Sequence, residues 1–147
     1  YSSDLKRCVE SSEIINEFYK LDIIKDRNFR ELNFGIFEGK SYAEVTKEFP
    51  DESKMLFENW KEYKIPNGES LKEHLIRCVE KIEEIKSKNR SKNILVMAHS
   101  GTIKSILTHY LYDNLDGFWK FRLDNGSATK LCFTEDNFSY LEYLNRV

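Results

Sequence analysis

Three side chains that lie far apart in this chain have the chemistry to handle a phosphate ester together: Arg7, Glu31 and His99. His99 follows the apolar run Asn93-Ile94-Leu95-Val96-Met97-Ala98 and precedes Ser100-Gly101. Such a run reads as a strand covered on both faces, and ligands of open α/β sheets bind beyond the C-terminal ends of strands. Gly101 allows a tight turn into the next helix, whose unpaired N–H groups and positive dipole suit a phosphate. Ser100 in that turn is a candidate phosphate contact. Arg7 is expected one turn inside the first helix, where helical side chains lean back toward the N-terminus. Its guanidinium fork matches two phosphate oxygens. Glu31 lies among Phe29, Phe34 and Phe37. A carboxyl shielded by aromatic rings can hold a proton near neutrality, as a donor to a leaving alkoxide must. Each residue also has a plainer reading: a solvated arginine, an exposed loop glutamate, a histidine that caps a strand. His74 and His109 read as structural or surface residues, because neither has metal-ligand spacing with another His, Cys or carboxylate. No attacking group is evident.

These residues need a scaffold, and 147 residues suit a single domain, 1–147. A chain of this size buries about 68–70% of its unfolded surface. Its 40% hydrophobic content is that of a globular protein. The net charge of −2 offers no global field for nucleic acid or an anionic membrane, so an anion must be held by local geometry. Cys8, Cys78 and Cys132 are scattered and never paired as CxxC. They argue for free thiols in a reducing, cytoplasmic setting, and against a disulfide framework or a metal site. No run reaches the ~18 apolar residues of a membrane span, and no signal peptide is evident. A strand-like Tyr1 followed at once by a helix cap leads us to expect a preceding N-terminal segment.

The positioning elements follow from pattern. Ser3 is a natural N-cap and Asp4 suits a first helical turn. Leu5, Cys8, Val9, Ile15 and Phe18 then recur near helical period as far as Tyr19. Ile23-Ile24 reads as a short strand, and residues 29–39 as a loop punctuated by Gly35 and Gly39. Residues 41–49 and 51–60 read as two short helices separated by Pro50, and 61–68 as a loop. Ser70-Leu71-Lys72-Glu73 is a capping box. Leu71, Leu75, Val79 and Ile82 continue it at spacings of four, four and three. Residues 102–112 form the next helix. Residues 129–134 and 138–143 are β-rich, with a hairpin turn at Glu135-Asp136-Asn137. Alternating helices and buried strands predict an α/β sandwich.

Five segments then occur in a telling order. They are Ser2-Ser3-Asp4-Leu5-Lys6-Arg7, Glu31-Leu32-Asn33-Phe34-Gly35-Ile36-Phe37-Glu38-Gly39, Asn67-Gly68-Glu69-Ser70, Met97-Ala98-His99-Ser100-Gly101 and Asp124-Asn125-Gly126-Ser127. Together they resemble the histidine phosphatase superfamily, also called phosphoglycerate mutase-like. Within it they are closest to small bacterial phosphatases such as α-ribazole phosphatase. The resemblance implies a three-layer α/β sandwich with a mostly parallel sheet, here without its first strand–loop–helix unit. In the family that unit carries an Arg-His-Gly whose histidine becomes phosphorylated, and no Arg-His-Gly occurs in this chain. The resemblance further implies that Arg7 grips phosphate, Glu31 donates the proton and His99 is the second histidine. It implies a small phosphorylated metabolite as partner, with no cofactor and no metal.

Two other functional classes bear on the same residues. A serine hydrolase would place Ser100 at a nucleophile elbow, but Thr102 stands where an elbow wants a small residue, and His109 is the only histidine downstream. A non-catalytic phospholigand-binding module is the alternative for a chain that is complete as it stands. Phosphoglycerate mutase-type transfer is a third reading, within the resemblance itself. The physiological substrate and the oligomeric state are not legible.

Overall fold

The structure, a computed structural model, describes residues 1–112 and 114–147. Five α-helices occur among these residues: α1 (Lys6–Tyr19), α2 (Tyr42–Glu48), α3 (Pro50–Glu58), α4 (Leu71–Lys88) and α5 (Ser100–Leu111). Short 3₁₀ turns cover Arg27–Phe29, Gly35–Phe37 and Leu115–Lys120, and an antiparallel hairpin, β1 (Ala128–Phe133) with β2 (Ser139–Arg146), closes the chain.

Capping chemistry sets several of these bounds. Ser70 Oγ accepts the Glu73 N–H at 3.1 Å while Glu73 Oε2 accepts the Ser70 N–H at 3.0 Å, so α4 begins as its capping box dictates. Ser41 and Glu44 form the same reciprocal pair at the start of α2. Pro50 does more than separate α2 from α3. It occupies the first position of α3, where its missing N–H costs nothing. In the hairpin, Thr134 N–H donates to Phe138 O at 2.9 Å and Asn137 takes φ 64°, as the sequence signal at 135–137 requires.

Two expectations need correction. Ser3 does not cap α1. That helix starts at Lys6 with Leu5 as an N-cap that makes no side-chain bond, and Phe18, expected on its buried face, is 93% exposed. Ser3 is instead held extended by its N–H to Met97 O, 2.8 Å, with its hydroxyl drawn to His99. The second correction concerns residues 93–98, expected to form a strand covered on both faces. Their pairing is one parallel bridge, Met97 to Ser2, and Ile94 and Leu95 are 38% and 57% exposed. Ser2 also bridges Lys25 in parallel, so residues 1–3 lie between two extended segments. Parallel pairing is therefore present but brief. The 93–97 segment bonds along one edge, through Tyr1 O and the Tyr1 and Ser3 N–H groups, and its faces at Ile94 and Leu95 are only partly covered by the described residues.

The packing that matters for the site lies between α4 and α5. The buried stripe of α4 is Leu71, His74, Cys78, Val79 and Ile85, with Leu75 and Ile82 at its margin. Facing it, α5 buries Thr102, Ser105, Ile106, Leu107 and Thr108. His74 is fully buried and satisfied: its Nδ1 lies 3.0 Å from Ser105 Oγ and its Nε2 3.4 Å from Thr102 Oγ1. A separate cluster, Phe37, Val45 and Ile65 with Phe49 and Leu56, forms the core of the excursion through α2 and α3. Gly35 (φ 49°) and Gly68 close the neck of that excursion. A Cβ on Gly35 would meet Pro66 O at 2.1 Å, and one on Gly68 would meet Asn33 O at 2.4 Å.

Burial of His74 has a consequence for stability. Burial, then the nearby Arg77 charge, pushes the ring's pKa down to about 4. Unfolded, the ring takes a proton near pH 6.5. Between these values the unfolded state binds more protons, so stability falls as pH is lowered from about 6.5 to about 4. The gap corresponds to roughly 3 kcal/mol. Urea midpoints at pH 7 and pH 5 should show the larger part of this loss, and His74→Gln should flatten it. An unchanged slope in that variant would place the proton uptake elsewhere.

Candidate active site

The first turn of α5 is where the three sequence candidates meet. His99 is its N-cap, buried to 7% exposure, with an extended backbone and a carbonyl that accepts the Ile103 N–H at 2.9 Å. Arg7 Nε donates to His99 Nδ1 at 3.2 Å. Guanidinium nitrogen only donates, so Nδ1 must carry the lone pair and the proton of the neutral ring sits on Nε2. Nε2 then donates to Ser3 Oγ, 2.9 Å away. Cys8 Sγ lies 3.4 Å from Nε2 and 3.5 Å from Ala98 O, packing the ring from the α1 side. Burial first, and the Arg7 charge second, lower the His99 pKa, which keeps this neutral tautomer in place.

Glu31 reaches the same turn from the loop. Its Oε2 accepts the Gly101 N–H at 3.1 Å and its Oε1 accepts the Leu32 N–H at 2.9 Å. The helix N-terminus expected to be free for phosphate thus already gives one N–H to Glu31. The approach is so close that a Cβ on Gly101 would lie 2.1 Å from Glu31 Oε1. Residue 101 must be glycine if the carboxylate is to sit there. The aromatic surroundings also differ from those expected. Phe29 and Phe37 are core residues, and the rings that share a pocket with Glu31 are Phe34, Trp60, Tyr63, Phe118 and Trp119. Ser100 opens α5 with an exposed side chain. His109 is exposed and stacks edge-on with Tyr110, away from this turn.

A second set of residues, not singled out from sequence, fixes the loop that carries Glu31. Arg77 on α4 donates from Nη1 to Asn28 O at 2.7 Å and from Nη2 to Glu31 O at 3.0 Å. Its fork also holds Glu69, with Nε to Oε2 at 2.9 Å and Nη2 to Oε1 at 2.6 Å. Burial pushes Glu69 up, but the Arg77 hydrogen bond and a backbone N–H from Asn33 win and hold it below the usual carboxylate range. Thr102 Oγ1 donates to Arg30 O at 2.9 Å, and Arg30 forms a two-pronged pair with Asp4 at 2.7 and 2.6 Å. A clue to Arg77 exists in the sequence: a charge set beside the buried stripe formed by His74 and Cys78. Ser3 and Cys8 carry no such clue, because their role depends on a partner more than ninety positions away.

Chemically, the turn presents a guanidinium and an imidazole side by side, with a carboxylate at the helix N-terminus. Among the described residues no cluster of three or more His, Cys, Asp or Glu could hold a metal ion, and no helix is long and apolar enough to cross a membrane.

Comparison with known proteins identifies the family and the fold. A family model described as the histidine phosphatase superfamily (branch 1) matches residues 1–146. Phosphoserine phosphatase 1 of Hydrogenobacter thermophilus is 28% identical over 92% of this chain and 64% of its own length. Phosphoglycerate mutase-like protein 4 of Arabidopsis thaliana is 37% identical over 72% of this chain and 47% of its own length. The crystal structure of the α-ribazole phosphatase of Shigella flexneri superposes with a TM-score of 0.88 at 21% identity, covering 98% of this chain and 71% of that one. The fold is thus the α/β fold of these phosphatases, and the chain spans about half to two-thirds of the length of the two curated relatives.

Proposed function

The chain belongs to the histidine phosphatase superfamily, and from that premise we propose that it is the larger part of a cytoplasmic phosphomonoester hydrolase working through a phosphohistidine. The observation that carries the proposal is the convergence of Arg7, His99 and Glu31 on one helix turn. His74 is sealed in the core and His109 lies away from that turn. The attacking histidine is therefore assigned to a segment outside these residues.

In the first half-reaction that histidine forms a P–N bond while the P–O bond to the alcohol breaks. Arg7 takes two equatorial oxygens through its fork. A phosphate dianion arriving between Arg7 and His99 offsets the Arg7 charge and favours the charged ring, so His99 takes a proton from solvent and donates to a third oxygen. Glu31 gives its proton to the departing alkoxide. In the second half-reaction water attacks phosphorus, the P–N bond breaks, and the Glu31 carboxylate takes the water proton. The proton lost in one half-step is thus recovered in the other, and phosphate leaves without any metal.

The test is to quench the protein that carries the attacking histidine during turnover and examine the phosphoenzyme. An acid-labile, base-stable phosphoryl group on a histidine is expected. A base-labile phosphoester, or none under conditions of steady turnover, would overturn the proposal.

A further inference from the structure

A cavity of about 180 Å³ opens beside Glu31, the proposed acid, and Gly101, whose N–H that carboxyl accepts. Apart from Glu31, Glu69 and Gly101, every residue lining it is aliphatic or aromatic. Its walls come from three places: Phe34 on the Glu31 loop, Leu56 and Trp60 from the α3 excursion, and Phe118 and Trp119 from the turn after α5. The rings brace one another. Trp60 and Trp119 have centroids 5.8 Å apart, and Phe118 meets Trp119 edge-on at 5.0 Å. Lys104 lies over the rings of Phe118 and Trp119 at 5.7 and 5.9 Å, occupying one face of each.

Among the described residues, no lysine, arginine or histidine lines the cavity. Of its two carboxylates, Glu69 is already held by Arg77, and Glu31 is the proposed acid. A substrate whose alcohol carries its own carboxylate would enter this apolar space without a cationic partner. A polyol would find few groups to bond besides the two carboxyls, the Tyr63 hydroxyl and the indole N–H groups, leaving the hydroxyls that face the aliphatic and aromatic walls desolvated and unpaired. An apolar group loses nothing on entering. Size narrows the choice: a protein cavity of about 150 Å³ holds one benzene ring.

Resting on the phosphatase reading, we infer that the substrate is a phosphomonoester whose alcohol bears a single ring or a short branched hydrocarbon, and no carboxylate. This sets the chain apart from the phosphoserine substrate that one relative's name describes.

Trp60 and Trp119 are the only two tryptophans of the sequence, so selectively excited tryptophan emission reports on this pocket. Titration calorimetry with benzylphosphonate, O-phospho-L-serine and inorganic phosphate, followed in parallel by tryptophan emission, tests the inference. Burying one ring should make benzylphosphonate bind about 10–100-fold tighter than either other ligand and shift the emission. Phe34→Ala, at the half-open rim, should reduce that preference several-fold while leaving phosphate affinity unchanged. Equal affinities for benzylphosphonate and phosphoserine, or ring binding without a tryptophan response, would overturn the inference and leave the phosphatase reading standing. The converse pattern, emission shifted by benzyl alcohol with no contribution from the phosphonate group, would retain the apolar pocket and overturn the phosphate site beside it.

Discussion

Replacing Glu31 with glutamine is expected to lower kcat/KM by about 10²–10⁴ on an alkyl phosphate, and by far less on p-nitrophenyl phosphate. An alkoxide cannot leave without a proton, whereas p-nitrophenolate leaves readily. The glutamine side chain keeps the shape but has one acceptor oxygen for the two N–H groups, of Gly101 and Leu32, that the carboxylate holds, so the difference between the two substrates is what reports proton transfer. His99→Ala should instead cost a similar factor on both substrates, because His99 supports the phosphoryl group whatever the leaving group is. Gly101→Ala offers an independent route to the same result. Its Cβ would displace the Glu31 carboxylate, 2.1 Å away, and should reproduce the alkyl-selective loss without altering any titrating group. The measurement is kcat/KM for the three variants on both substrates, in the protein that supplies the attacking histidine. Equal penalties for Glu31→Gln on both substrates would remove Glu31 as the acid. Glu38 would be the next candidate in that loop, although its carboxylate now accepts the Phe34 N–H at 2.9 Å.

Arg7→Lys should cost about 10²–10³ in rate, the usual loss for one such oxyanion contact. Lysine keeps the charge but has no Nε–H to place 3.2 Å from His99 Nδ1 and no fork for two oxygens. The change therefore removes two things: a phosphate clamp and the donor that selects the His99 tautomer. The second is visible without substrate, since ¹⁵N shifts of the imidazole distinguish the Nε2–H form and should report a mixed population in the variant. A near-normal rate with an unchanged ring would return Arg7, an exposed side chain, to the role of a solvated surface arginine.

The sequence disclosed those features that depend on neighbours. The capping box at Ser70 and the period of α4 are local, and α4 starts where they say. The hairpin turn at 135–137 is local too, because Asn137 itself supplies the left-handed backbone. The start of α5 lies two residues before the expected one because its N-cap, His99, makes no side-chain cap bond, and the Gly101 N–H is met instead by the distant Glu31 carboxylate. Residues 93–98 illustrate a different limit. An apolar run looks the same whether or not other elements cover its faces, and here Ile94 and Leu95 are only partly covered. At the site, residue types announced Arg7, Glu31 and His99. What the types could not announce was the wiring: Ser3 drawn away from its helix, Cys8 against the imidazole, and Arg77 bonded to two loop carbonyls. Those bonds join positions separated by 46 to 96 residues, and no periodicity reaches that far.

The pinched neck at Asn33, Gly35, Pro66 and Gly68 bears on how such an enzyme could change its diet. Glu69 N–H donates to Asn33 O at 3.1 Å, Asn33 N–H returns to Glu69 Oε1 at 2.9 Å, and Ile36 N–H meets Pro66 O at 3.0 Å. The segment between these points, with α2, α3 and its own small core, is an excursion whose two ends are stitched together independently of what lies inside. With the ends already joined, lengthening or replacing the interior changes the closure entropy only logarithmically. Arg7, Glu31 and His99 all lie outside the neck. Heredity can therefore treat residues 36–65 as an exchangeable cassette: a graft cut at Gly35 and Pro66 would replace Leu56 and Trp60, and with them one wall of the alcohol pocket, while the phosphate-handling residues keep their places.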